Sequence, residues 1–427
     1  MSTNANAAAL TERSPDELAA FAAQAREEYA DLKAKGLTFD LTRGKPAAEQ
    51  LDLSEELLRL PTGHTSPSGV DVRNYGGLEG LKELREIFGE LLGVDTAQVI
   101  AGGNSSLTMM RDTLVYLLLH GAIDSPRPWG EEETIRFICP VPGYDRHFSM
   151  LASFGIEMVT VPMTDDGPDV EACAQVAAED PSVKGMWAVP TYANPTGQTI
   201  TQEVAARLAA METAAPDFKI FWDNAYALHH LTEVETKSAD ILALCSSAGH
   251  PDRAFVFAST SKITFAGAGV AFLASSIDQI EWWLGHTAMG SIGPDKVNHL
   301  RHLEFFGSAD GVRAHMAKHR EIIAPKFAEV LRVLQERLGG LGIARWTEPV
   351  GGYFVSLDVL DGTASRVVEL AKEAGVALTP AGSSYPHGDD PDDRNIRIAP
   401  TFPDLADVTD AMEAVATCVR LAAAEHL

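Results

Sequence analysis

From about residue 78 the chain repeats one pattern: a short apolar run, a stretch with helical spacing, then another apolar run. Residues 98–101, 134–139, 156–161, 184–189, 218–222 and 254–258 are such runs. Runs this short and apolar read as strands buried on both faces. Strands separated by helices pair in parallel through crossovers, so the chain is predicted to be α/β. Residues 270–274 follow 254–258 closely enough to pair antiparallel, which gives a mostly parallel seven-stranded sheet flanked by helices. Helical spacing over 321–338 and 364–374, with a strand over 353–358, predicts a smaller α+β domain. The expected division is an N-terminal arm with part of the small domain over 1–65, a large domain over 66–315, and a C-terminal small domain over 316–427.

Residues 1 to about 12 are polar and alanine-rich and are expected to be disordered. Ser14-Pro15-Asp16-Glu17 then forms a capping box with proline at the first helical position. The start lacks an apolar core, so no signal peptide is expected, and no apolar run is long enough to span a bilayer. Lys plus Arg number 34 against 60 Asp plus Glu, a formal net charge of −26. That surface disfavours nucleic acid and anionic membranes, and the expected location is the cytoplasm. The four cysteines lie far apart without a CxxC spacing, which reads as buried free thiols.

Polar motifs follow the strands, where ligands of open α/β sheets bind. Gly102-Gly103-Asn104-Ser105-Ser106 stands between a strand and a helix, and reads as a phosphate cradle without the lysine of a P-loop. In Pro142-Gly143-Tyr144 the aromatic ring is placed to stack on a flat cofactor. Asn194-Pro195-Thr196-Gly197 presents an amide at the sheet edge. Asp223-Asn224-Ala225-Tyr226 ends an apolar strand on a carboxylate, which at that depth needs a cationic partner such as a protonated pyridine nitrogen. Ser259-Thr260-Ser261-Lys262 sets an amine between hydroxyls, which suits a Schiff-base lysine beside a phosphate. Arg397 interrupts an apolar strand in Asn395-Ile396-Arg397-Ile398, as a carboxylate fork would. Each motif alone has an ordinary reading as a turn, a helix cap or an edge-strand residue. His229-His230 lacks a third ligand at metal spacing, so no metal is expected.

Taken together, Gly44, Tyr75, GGNSS, PGY, NPTG, DNAY, STSK and NIR stand in the order and spacing of the fold-type I pyridoxal-phosphate aminotransferases. The chain resembles that family from Gly44 to Arg397, and within it a divergent branch of the aspartate aminotransferases with TRGKP near the start and STSKITFAGAG around the lysine. The resemblance implies pyridoxal 5′-phosphate as cofactor. It implies Lys262 as the Schiff-base lysine, Asp223 as partner of the pyridine nitrogen, Tyr226 and Asn194 as donors to the phenolic oxygen, and Tyr144 as the stacking ring. Gly103, Asn104, Ser105, Ser259 and Ser261 correspond to phosphate-binding segments. Tyr75 corresponds to a tyrosine that reaches the neighbouring subunit's phosphate, which implies a homodimer with shared sites. Arg397 corresponds to the α-carboxylate arginine, with Gly44 and Asn194 bordering the substrate. The family's phosphate arginine, in a pattern like AGLR, is missing here, where the chain reads Ala266-Gly267-Ala268-Gly269-Val270.

The activity implied is transfer of an amino group from L-aspartate to 2-oxoglutarate. A dicarboxylic substrate needs a second cation. Gly290 to Pro294 holds none, so Arg43 is expected to read the distal carboxylate, with Lys45 and Arg146 in reserve. The rivals are a transaminase for another amino acid, a lyase of the same fold, and a non-enzymatic sensor domain. Only about 40 residues precede Gly44, too few for the basic DNA-binding domain such sensors carry.

Overall fold

The computed structural model describes residues 9–42 and 44–427. Its main sheet has eight strands: β1 (Val99–Ala101), β2 (Arg136–Val141), β3 (Glu157–Thr164), β4 (Gly167–Pro168), β5 (Val183–Ala188), β6 (Lys219–Asp223), β7 (Ala254–Ser259) and β8 (Ala271–Ala274). They lie in the order β1-β8-β7-β6-β5-β2-β3-β4. The five from β7 to β3 run parallel to one another, whereas β8 runs antiparallel to both β7 and β1. The eighth strand, β4, is a two-residue antiparallel edge piece containing proline, too short to leave a periodic signal.

Side chains alternate across this sheet. Phe221, Phe255 and Phe257 join one buried cluster, and Ile220, Trp222, Val256 and Ala258 join another. Both faces are apolar, so the alternation vanishes into continuous hydrophobic runs. The charged residues in two of the runs are buried with partners. Lys219 Nζ donates to Asp124 at 2.7 Å, and Lys184 Nζ to Asp217 at 2.9 Å.

Six helices position the site: α1 (Pro15–Ala34), α2 (Ser106–His120), α3 (Asp145–Ser153), α4 (Lys296–Phe306), α5 (Ala309–Leu338) and α6 (Leu405–His426). The α1 capping box forms, with Ser14 N donating to Glu17 Oε2 at 2.9 Å. Phe21, Ala25, Tyr29 and Leu32 then turn one face of α1 into a core shared with α5 and α6. That core also holds an antiparallel sheet of β9 (Ala344–Trp346), β10 (Val355–Val359) and β11 (Asn395–Ile398). Helix α5 bridges the two bodies. Ala309, Val312 and Met316 pack on the large sheet's core, and Ile323, Phe327 and Val330 on the other. The division expected near residue 315 falls within this one helix.

Part of the expected disordered start is ordered. Leu10–Glu12 forms a 3-10 turn, because Leu10 is fully buried and its N–H donates to Leu341 O at 2.8 Å. Residues 1–8 lie outside the described residues. All four cysteines are buried and free. No helix among the described residues is long and apolar enough to cross a membrane.

Candidate active site

A cavity of about 120 Å³ opens at the C-terminal ends of the parallel strands. Strand geometry supplies its floor: β6 ends on Asp223 and β7 on Ser259. The loop after β7 folds into one turn, with Ile263 and Thr264 N–H groups donating back to Thr260 O, and brings Ser261 and Lys262 to the rim. Ser105 caps α2 by accepting from Thr108 N at 3.3 Å, and Ser106 and Leu107 present first-turn N–H groups on the cavity wall. Tyr144, Asn194 and Tyr226 complete the lining. Elements distant in sequence thus bring together an amine, a carboxylate, an amide, two phenols and four serine side chains.

Asp223 is 4% exposed. Its Oδ2 accepts from His147 Nε2 at 2.9 Å, but Oδ1 is buried without a partner among the described residues. An unmet acceptor on a buried charged group costs about 1–3 kcal/mol or more, so the site has a strong claim on a cationic donor. His147 is fixed in turn by stacking on Trp187, centroids 4.0 Å apart and 6° from parallel. Lys262 Nζ lies 4.8 Å from the Tyr226 ring centroid. Burial pushes the Tyr226 hydroxyl above its usual range and that of Tyr144 up to about 12, so both phenols remain donors. The donor set fits a flat cationic ring with an aldehyde within reach of the lysine and an anionic tail at the α2 terminus.

A buried polar web holds the lysine segment from below. Tyr353 OH donates to Lys262 O at 3.3 Å, and His229 Nε2 meets the same carbonyl at 3.4 Å. His315 Nε2 donates to Ile263 O at 2.8 Å. Gln50 Nε2 donates to Tyr353 OH and to His319 Nδ1, each at 3.1 Å. Burial pushes His229 down to about 3 and His319 to about 4, so these imidazoles are neutral.

Arg397 stands on β11, 8% exposed. Its Nη1 donates to Asn194 Oδ1 at 3.3 Å and Asp145 Oδ1 at 3.4 Å, and its Nη2 to Thr379 Oγ1 at 3.3 Å and Thr42 O at 3.4 Å. Its Nε is buried and has no partner among the described residues. These contacts are long for charge-assisted bonds, which leaves the guanidinium open to a better acceptor. Phe354 stacks on it, 5.1 Å from centroid to Cζ. Gly44 leaves room for that ring, since a Cβ there would lie 2.4 Å from Phe354 Cζ.

Other expected site residues stand apart from this cavity. Gly103 O accepts from Ala271 N, and Asn104 Nδ2 donates to Gly267 O at 3.0 Å, so the two stitch the α2 loop to β8 and to the lysine loop. Tyr75 is 81% exposed. Where the phosphate arginine is missing, Val270 is buried and Asn298 of α4 donates to Ala268 O and Gly269 O. Of the candidates for a second cation, Lys45 is exposed with its Nζ 3.8 Å from the Phe402 ring centroid, Arg146 is exposed on α3, and Arg43 lies outside the described residues. Sequence reasoning missed His147, whose one signal was its place three residues after Tyr144, on the same helix face. It also missed the web under Lys262.

Three comparisons bear on this geometry. The family model described as aspartate amino-transferase matches residues 13–427. An aspartate aminotransferase of Corynebacterium glutamicum is 54% identical over 403 residues, covering 94% of this chain and 93% of the relative. A protein of Mycolicibacterium smegmatis, named as an aminotransferase without a substrate, is 59% identical over 406 residues, covering 94% of this chain and 95% of the relative. Among solved structures, an aspartate transaminase from Corynebacterium glutamicum superposes with a TM-score of 0.97 at 52% identity, covering 99% of this chain and all of that one.

Proposed function

The chain belongs to the aspartate aminotransferase family of fold-type I, pyridoxal-phosphate-dependent enzymes, and from that premise we propose that it moves the amino group of L-aspartate to 2-oxoglutarate. One observation carries the chemistry: the unpartnered Oδ1 of Asp223 is buried in the wall of the cavity that Lys262 lines. Pyridoxal 5′-phosphate, when bound, supplies an electron sink for the pair left at the substrate's Cα. Asp223 Oδ1 accepts from the protonated ring nitrogen, while His147 holds Oδ2 and fixes the carboxylate's plane. Tyr226 and Asn194 donate to the ring's phenolic oxygen, and Tyr144 covers the ring. Ser105, Ser259, Ser261 and the first turn of α2 hold the phosphate. Lys262 would hold the cofactor through its Nζ, and its amine is the group placed to take the proton from the substrate's Cα. Arg397 holds the α-carboxylate, using the Nε that has no partner among the described residues. The two half-reactions share one site, so the kinetics are ping-pong.

The choice of aspartate is supported by the aspartate aminotransferase at 54% identity. Arg43 is proposed as the reader of its distal carboxylate. We propose a cytoplasmic homodimer in which Tyr75 reaches the partner's site. The exposure of Tyr75, Met289 and Ile292, with Gly76 N bonded to Ile292 O, favours a covered surface there. A panel of amino acids with 2-oxoglutarate as acceptor tests the reading, with oxaloacetate formation from aspartate expected to have the highest kcat/KM. Arg43→Ala should lower that value roughly tenfold to a hundredfold and spare alanine. Faster turnover of a neutral or aromatic amino acid would remove the aspartate assignment.

A further inference from the structure

Arg397 already faces a carboxylate of its own chain. Of the four acceptors around its terminal nitrogens, Asp145 alone is charged, with Oδ1 at 3.4 Å from Nη1. Asp145 is the first residue of α3, directly after Tyr144, and its backbone is tied down by Ser149 Oγ donating to Asp145 O at 2.9 Å. Its side chain is not tied down. The carboxylate is 36% exposed, and Arg397 is its one hydrogen-bond partner among the described residues. A carboxylate at the edge of solvent, loosely paired to a buried guanidinium, is positioned to leave.

We propose that Asp145 is a built-in competitor for the substrate's α-carboxylate: it neutralises Arg397 in the free enzyme and is displaced to water when an amino acid binds. This rests on the role of Arg397 given above. Physically, a buried cation without a counter-charge is costly, so an internal carboxylate lowers the energy of the free state. An incoming carboxylate makes bonds near 2.8 Å where Asp145 makes one at 3.4 Å, and it also reaches Nε. The incoming group must nevertheless displace a like charge, and affinity is reduced by that amount. Asp145 therefore sets how tightly any carboxylate binds, without touching the reacting carbon.

The test is Asp145→Asn, which keeps the shape and removes the charge. Propionate and succinate, unreactive mono- and dicarboxylates, are titrated against the cofactor-loaded wild type and variant by calorimetry. Both should bind about threefold to tenfold tighter to the variant, as for a partly exposed like charge removed beside a buried site. The KM for the preferred amino acid should fall in the same direction, with kcat moving less. Unchanged or weaker binding overturns the proposal, since Asp145 would then be inert or would help to orient Arg397. Asp145→Ala is run beside it, with melting temperatures for both, so that a folding defect in one variant leaves the other to decide. Arg397→Leu separates the layers: if it leaves propionate affinity intact, the reading of Arg397 fails and this proposal with it. If the substrate panel instead disfavours aspartate, that assignment falls while the titration still decides Asp145.

Discussion

Lowering the pH from 7.5 to 5.5 should destabilise this protein by roughly 5 kcal/mol, because it buries several imidazoles in neutral form. Burial pushes His229 down to about 3, and His299, His302 and His319 each to about 4, from an ordinary value of 6.5. All four are at most 3% exposed. The folded value lies below the unfolded one, so above pH 6.5 both states are neutral and nothing is lost. As the pH falls from 6.5 towards 4, the unfolded chain takes up protons that the native state refuses. At pH 5.5 each such residue has removed about 1.4 kcal/mol, a large part of an ordinary folding free energy when four act together. Carboxylates do not confuse this window. Glu329, held down to about 2 by Arg332, weakens the fold only as the pH falls below its ordinary 4.5. Urea denaturation at pH 7.5, 6.5 and 5.5, with cofactor in constant excess, measures the slope. His302→Gln should remove about a quarter of it. A difference under about 1 kcal/mol between pH 7.5 and 5.5 would refute the reasoning, since the imidazoles would then be charged in the fold or hydrated.

Lys262→Ala should abolish covalent attachment of the cofactor and essentially all transamination, and borohydride reduction followed by peptide mapping should label Lys262 in the parent; a label on another lysine defeats the assignment. Asp223→Ala should retain some cofactor but lose on the order of a thousandfold in rate, and a loss within tenfold would reduce Asp223 to a structural residue. Gly44→Ala would put a methyl 2.4 Å from Phe354 and push that ring off Arg397, so KM for every amino acid should rise severalfold; an unchanged KM shows that Phe354 does not support the arginine. Mixing Tyr75→Phe and Lys262→Ala protomers should restore some activity if sites are shared between subunits, and an active monomer in light scattering removes that idea.

The large sheet was legible because its strands are buried on both faces and end abruptly on polar residues. Asp223 after Trp222 and Ser259 after Ala258 mark the cavity floor in the sequence itself. The partners of those residues were not legible. His147 meets Asp223 only because β2 and β6 both flank β5, which is a fact of strand order and leaves no local trace. The start of α5 was missed for a different reason. Residues 309–320 carry His, Lys and Arg and read as polar, yet His315 and His319 are buried because backbone carbonyls and Gln50 meet their ring nitrogens. Leu10 was missed because a single apolar residue in a polar tail has no period to betray it. Asp145 follows a recognisable tyrosine, but its meaning depends on Arg397, some 250 residues away.

The web under Lys262 has a consequence for synthesis. A ribosome that has released the chain as far as β8 has already delivered Lys262, Asp223 and every strand of the main sheet. The carbonyl of residue 263 then still waits for His315, and that of residue 262 for Tyr353, which arrives about ninety residues after the lysine. Until then the carbonyl of residue 263 lacks its partner, and that of residue 262 has only the long contact from His229, in what will become a dry interior. The nascent sheet can form early, whereas the Lys262 segment is held from below only once residues 315 and 353 have folded back under it.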